Sequence, residues 1–221
     1  MHKSLERLNL IRNKVKEIVD KKQLKTNPQI IAVSKTFPVE KIVPLLDSGH
    51  IHFGENKIQE AEKKWADLKK QYNNSQLHML GKLQSNKAKK AVMLFDYIHS
   101  VDNIRLAKKI SQYENELNKK VKLFIQVNIG DEEQKSGIAI NELNDFYNFC
   151  SKEIGLNIVG LMCLPPINLS SDKYFENLKN NCDKLLLKHL SMGMSSDYTN
   201  AIANGSTFIR IGTAIFGSRS T

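Results

Sequence analysis

Only three of the 221 residues are cysteine, namely Cys150, Cys163 and Cys182. Their wide spacing excludes a CxxC metal or redox motif and a paired disulfide framework, so they are expected as reduced core or helix residues. Long apolar runs are missing too, since none approaches the roughly 18 residues that span a bilayer. The opening segment Met1-His2-Lys3-Ser4-Leu5-Glu6-Arg7 has neither the apolar stretch nor the small-residue cleavage site of a secretory signal. These absences lead us to expect a cytoplasmic protein with no membrane partner. Arginine is scarce as well: of 33 basic residues only Arg7, Arg12, Arg105, Arg210 and Arg219 are arginine, although the net charge is +10. Arginine is the usual reader of phosphates and bases, and the lysines are scattered among glutamates along helices. Specific nucleic-acid binding is therefore not expected, despite the basic balance.

Familiar site motifs are also absent. There is no GxGxxG after the first strand, no GxSxG elbow and no GxxxxGK(S/T) phosphate loop. The histidines show no HxxxH-type spacing on one helix, so no metal site is expected. What remains is an apolar content of 41%, ample for a sizeable core.

The patterning of that core is regular. Leu5, Leu8, Ile11, Val15 and Val19 recur at helical spacing over Ser4–Val19, which predicts an opening amphipathic helix flanking the main fold. After Pro28, short β-branched or apolar runs alternate with longer amphipathic stretches. Strands are expected at Ile30–Ser34, Ile51–Phe53, Gln76–Leu80, Tyr97–Ser100, Val121–Asn128, Asn157–Met162, His189–Ser191 and Thr207–Ile211. Helices are expected at Val39–Asp47, Ile58–Tyr72, Asn86–Met93, Ile104–Leu117, Ile140–Lys152, Lys173–Lys188 and Asp197–Ala203. Eight repeats of strand and helix predict an α/β fold of the (β/α)₈ TIM-barrel type with an extra N-terminal helix. A single domain over residues 1–221 is expected, residues 1–27 being the flanking helix, with no second domain. An open doubly wound sheet shares the alternation, but usually has fewer strands and a glycine-rich first loop.

Barrels of this type carry their chemistry at the C-terminal strand ends. Lys35 ends the apolar run Ile30-Ile31-Ala32-Val33-Ser34. A lysine at the mouth of a buried strand is desolvated toward the neutral amine that attacks aldehydes. Standing alone, it reads first as a solvated loop lysine. The segment from Leu190 to Asp197 reads as a small-residue loop running into a helix, where Ser195 and backbone amides either cradle an anion or cap the helix. Arg210 lies inside the eighth strand, and a guanidinium there needs pairing or hydrogen bonds. Strand alternation puts Lys35 on the face of Ile31 and Val33, and Arg210 on the face of Phe208. Strands one and eight adjoin when a barrel closes, so Lys35 and Arg210 converge if both faces point into its mouth. Gly212 and Thr213 follow. The alternative for Arg210 is a plain salt bridge to an acidic helix residue. Asn56, after strand two, and His78, in strand three, are the polar residues there best placed to face a ligand, ordinary loop and capping chemistry being the competing reading.

The ordered set Ala32-Val33-Ser34-Lys35-Thr36, Phe53-Gly54-Glu55-Asn56, the HxxGxLQxNK stretch from His78 to Lys87, Lys135-Ser136-Gly137, Gly160-Leu161-Met162, Met192-Gly193-Met194-Ser195 and Arg210–Gly217 closely resembles the pyridoxal phosphate homeostasis protein family. That family has the barrel of the N-terminal domain of alanine racemase. The resemblance implies that pyridoxal 5'-phosphate (PLP) is bound as an internal aldimine, a Schiff base on Lys35. It also implies that Ser195, Gly212 and Thr213 hold the phosphate, that Arg210 faces the pyridine nitrogen, and that Asn56 lines the cofactor site. Lys57 and Lys82 depart from the pattern, standing where relatives carry Tyr and Pro. An arginine at the ring nitrogen leaves it unprotonated and a poorer electron sink. The chain ends four residues after Gly217, where alanine racemase begins the domain that supplies its second base and its dimer. The resemblance therefore implies a non-catalytic monomer that buffers PLP or delivers it to PLP-dependent apo-enzymes. A weak PLP-dependent amino-acid racemase is the alternative.

Overall fold

The computed structural model describes every residue except 1, 26, 133, 135, 167, 168 and 219–221. Eight parallel strands close into one barrel in chain order. They are Gln29–Val33 (β1), His52–Glu55 (β2), Gln76–Met79 (β3), Tyr97–Val101 (β4), Lys122–Val127 (β5), Ile158–Cys163 (β6), His189–Met194 (β7) and Phe208–Ile211 (β8). Closure is made by β1 against β8, with Ile31 opposite Arg210 and Ala32 opposite Ile211. The helices are Lys3–Lys21 (α1), Val39–Asp47 (α2), Ile58–Gln71 (α3), Ala88–Leu94 (α4), Ile104–Glu116 (α5), Leu143–Asn148 (α6), Asp172–Lys184 (α7), Tyr198–Ala203 (α8) and Thr213–Phe216 (α9). None of the described helices is long and apolar enough to cross a membrane.

Each strand is covered on both faces, which is why the strands read as near-continuous apolar runs. Outward residues such as Ala32, Phe53, Leu77, Ile98, Leu123, Leu161, Leu190 and Ile209 share one core with the helices, including Trp65 of α3 and Phe175 of α7. α1 buries Leu8, Ile11 and Val15 and packs beside α2, α8 and α9. The inward residues Ile31, Val33, Leu80, Tyr97, Phe124, Met162 and Phe208 form a second cluster inside the barrel. Aliphatic branched residues usually dominate such interiors. This one also buries His52, His78, His99, Ser191 and Arg210.

Three expectations shift. The helix expected over Ile140–Lys152 is divided into a 3₁₀ turn at Ile140–Glu142, α6, and a π-helical turn at Phe149–Glu153. Cys150 joins Leu143 and Phe146 in the core. The helix expected to reach Lys188 stops at Lys184, and Leu186 turns the chain at φ 54°. The segment from Leu190, expected as a loop, continues β7 as far as Met194. Between Ser191 and Met194 the pairing with Phe208 and Arg210 shifts register, so β7 carries one extra residue. Gly193 absorbs this bulge at φ 91°, a region L-residues rarely adopt. Ser195 is thereby delivered to the rim.

Gly160 in β6 is required for a different reason. A Cβ there would lie 2.0 Å from the His189 carbonyl oxygen and 2.7 Å from the Phe124 ring. Gly160→Ala is expected to overpack the barrel and lower unfolding free energy by about 1–3 kcal/mol or more. Urea denaturation checks this, and an unchanged midpoint would contradict it.

Candidate functional site

The C-terminal mouth of the barrel opens into a cavity of about 410 Å³, within the range that holds small ligands. Lys35, Asn56, Ser195, Arg210, Gly212 and Thr213 all line it. The rest of its wall is largely apolar, from Val33, Leu80, Met162, Leu164 and Met194. Lys35 is half-buried and follows β1 in a turn. Ser195 bridges two of the loops, its Oγ accepting from the Ala214 amide at 3.4 Å.

The turn holding Lys35 is clamped from behind. Thr36 sits at φ 66°, a strained conformation for a β-branched residue. Its amide donates to Glu60 Oε1 at 2.5 Å. The Lys64 ammonium lies under the turn and donates to the carbonyls of Ser34 at 2.8 Å and Phe37 at 3.4 Å, which bracket Lys35. It also pairs with Glu60 at 2.8 Å and with the fully buried Glu55 at 2.7 Å. Glu55 accepts further bonds from Ser34 Oγ at 2.7 Å and Trp65 Nε1 at 3.2 Å. Burial raises the Glu55 pKa, and the Lys64 charge opposes that rise.

Arg210 forms the floor. Only 5% exposed, its guanidinium donates to the Ser191 carbonyl at 2.6 Å, to Ser191 Oγ at 2.7 Å and to the Cys163 carbonyl at 2.9 Å. Burial lowers its pKa from the ordinary guanidinium value. No carboxylate pairs with it among the described residues, so the salt-bridge alternative does not hold there. Below it, imidazoles run down the barrel axis: His99 Nδ1 meets Ser191 Oγ at 2.8 Å, His78 Nδ1 meets His99 Nε2 at 2.9 Å, and His52 Nδ1 meets His78 Nε2 at 2.9 Å. His78 stacks on Tyr97 and His99 on Phe124, each with centroids 4.2 Å apart.

Six of the seven expected site residues therefore meet at one cavity. His78 is the correction. It is fully buried beneath the cavity, and both its nitrogens are taken by neighbouring histidines. Its place in the middle of β3, with Leu80 the inward residue above it, explains the difference. Lys135 lies outside the described residues. The apolar wall residues, Lys64, Glu60 and Ser191 went unrecognised in the sequence. For Val33 and Leu80 the signal was strand alternation with Lys35 and His78; the clamp had none, because its members come from separate elements.

Residues 7–220 match the family described as alanine racemase, N-terminal domain. The chain is 40% identical over 200 residues to the pyridoxal phosphate homeostasis protein of Synechocystis sp., covering 86% of this chain and 91% of that one. The protein of the same name from Haemophilus influenzae is 34% identical over 223 residues, covering 96% and 94%. Among solved structures, PipY of Synechococcus elongatus with PLP bound superposes with TM-score 0.85 at 38% identity, covering 97% of this chain and 100% of that one. An alanine racemase of Clostridium difficile shares the fold alone, at 15% identity and TM-score 0.71 over 98% of this chain and 58% of its own.

Two outcomes follow from the buried charges. Lys64→Met leaves the Glu55 carboxylate buried without its cation, and a loss of about 3–5 kcal/mol is expected in urea denaturation. The histidines bear on acid stability. Burial first, then the Arg12 charge, holds His50 down to about 3; burial and the Lys122 charge hold His52 at about 4. His78 and His99 lie well below the ordinary imidazole value, again chiefly through burial. Between these values and about 6.5 the unfolded chain binds more protons than the folded one, so stability rises with pH across that window. Each such proton is worth about 1.4 kcal/mol per pH unit. The raised Glu55 pKa acts oppositely, favouring the fold below its unfolded value of about 4.5. The denaturation midpoint is expected to fall steeply from pH 6.5 to pH 5; a flat profile would refute the neutral histidine core.

Proposed function

We propose that this chain, which belongs to the alanine racemase N-terminal domain family and within it to the pyridoxal phosphate homeostasis proteins, binds PLP in the Lys35–Arg210 cavity and maintains its intracellular balance by holding and releasing it. The observation carrying this reading is the pairing of a lysine on the rim with a buried guanidinium on the floor of one cavity. Arg210 has five N–H donors, and three of them are used inside the barrel. The remaining two, on a charge with no described carboxylate partner, suit an acceptor in the cavity such as a ring nitrogen. Ser195, Gly212 and Thr213 offer a hydroxyl pair and backbone amides to a phosphate at the rim beside β8. Asn56 and the apolar wall suit the flat ring between them. The residues present therefore fit the cofactor.

Bound PLP supplies an aldehyde that condenses with an amine and releases water, and a ring that withdraws electrons best when its nitrogen is protonated. Lys35 is the attachment amine in this reading. Arg210 keeps its own proton, so it orients the ring nitrogen without protonating it. Racemisation needs a base on each face of a substrate. Among the residues lining the cavity, Lys35 and Arg210 are the only ones with basic side chains and none is acidic, and Arg210 does not give up its proton. We therefore read the protein as a cofactor carrier with no turnover of its own. The name homeostasis protein, borne by its relatives, supports this. We read the carrier as a monomer. The mouth is open at the exposed residues Thr213 and Ser196, which suits release to PLP-dependent apo-enzymes in the cytoplasm.

The test is direct. Protein mixed with PLP is expected to show an absorbance band near the visible edge, lost in Lys35→Ala. Borohydride reduction followed by mass spectrometry is expected to place one pyridoxyl adduct on the Lys35 peptide. A wild-type protein without the band would overturn the binding site. Deuterium exchange at Cα of amino acids that depends on Lys35 would overturn the carrier reading in favour of an enzyme.

A further inference from the structure

The histidine column under Arg210 has no part in binding as described above. Its donors and acceptors nevertheless have one consistent arrangement. Arg210 only donates, so Ser191 Oγ accepts from it at 2.7 Å. The Ser191 hydroxyl proton then needs an acceptor, and His99 Nδ1 at 2.8 Å is the one remaining partner recorded for that oxygen. With Nδ1 accepting, a neutral His99 carries its proton on Nε2 and donates to His78 Nδ1; His78 Nε2 then donates to His52 Nδ1. The opposite direction makes Ser191 accept twice and leaves its own proton buried without a partner, which the low-dielectric interior disfavours. At the far end His52 lines a second cavity, of about 420 Å³, at the N-terminal face of the barrel. Its Nε2–H there has access to solvent acceptors.

Resting on the PLP reading above, we propose that Ser191, His99, His78 and His52 form a hydrogen-bonded chain of single polarity, every imidazole protonated on Nε2, which Arg210 orients and which holds Arg210 at the floor of the cofactor cavity. Ser191 and His99 are thus positioning residues for PLP, acting through Arg210. A cation at the top favours chain dipoles that present lone pairs upward, and each bond polarises the next. The planar walls of Tyr97 and Phe124 keep the rings from turning out of line. His50 provides an internal standard. Its Nδ1 accepts from Arg12 at 3.3 Å and its Nε2 donates to the His52 carbonyl at 2.9 Å, so partner types alone place its proton on Nε2.

Long-range ¹H–¹⁵N correlation spectra of the protein without PLP report each tautomer directly. His52, His78 and His99 are expected to match His50 as neutral Nε2–H imidazoles at pH 7. Ser191→Ala is expected to leave His99 a mixture of tautomers and to weaken PLP binding about tenfold, the size of one hydrogen bond. His99→Gln, which still accepts and donates, is expected to recover most of the affinity that His99→Leu loses. Nδ1–H tautomers at His78 or His99 overturn the proposal, and so does a Ser191→Ala protein with unchanged tautomers and PLP affinity. Failure of the wild type to bind PLP would instead sink the cofactor reading, while the spectra still decide the polarity of the chain.

Discussion

A permanent positive charge lies inside this barrel, and much of the interior is arranged around it. A guanidinium removed from water carries a desolvation cost of several kcal/mol, which only good hydrogen bonding offsets. Two strand carbonyls, of Ser191 and Cys163, and the Ser191 hydroxyl meet it. The bulge in β7 follows directly after Ser191, so one strand both braces Arg210 and turns outward to present Ser195. Burial is the main cause that holds the histidines beneath below the ordinary imidazole value, and at His99 the Arg210 charge adds to it. Burial and electrostatics therefore act in the same direction along the barrel axis.

The rim has the opposite character. Lys35 occupies a turn that the backbone does not favour by itself, given the positive φ of Thr36. Lys64, Glu60 and Glu55 hold it by gripping the carbonyls and the amide of the turn. One lysine thus serves the site from behind while another faces the cavity. These contacts fix the backbone position from which Lys35 faces the cavity floor.

Much of this was legible in the sequence because periodicity is a local signal. Eight strands came through as apolar runs, and alternation put Lys35 on the face of Val33 and Arg210 on that of Phe208, faces that the closed barrel turns inward. The bulge at Gly193 was hidden, since Met192-Gly193-Met194 reads equally as a loop. The division of the helix after Ile140 was hidden too, because a π-helical turn preserves apolar spacing while changing hydrogen-bond partners. His78 was misplaced for a related reason: alternation says that it points inward, but not how far below the rim it lies. The clamp behind Lys35 joins β1, β2 and α3, and no spacing rule reaches across three elements.

The chain contains a single tryptophan, and Trp65 is the residue whose indole N–H binds the buried Glu55 carboxylate. That carboxylate is tied through Lys64 to the turn bearing Lys35. The molecule thus carries one native indole fluorophore, shielded from solvent and joined through Glu55 and Lys64 to the turn that bears Lys35. Its emission reports the condition of the clamp with no other indole to obscure it, so the protein can announce optically when that turn moves.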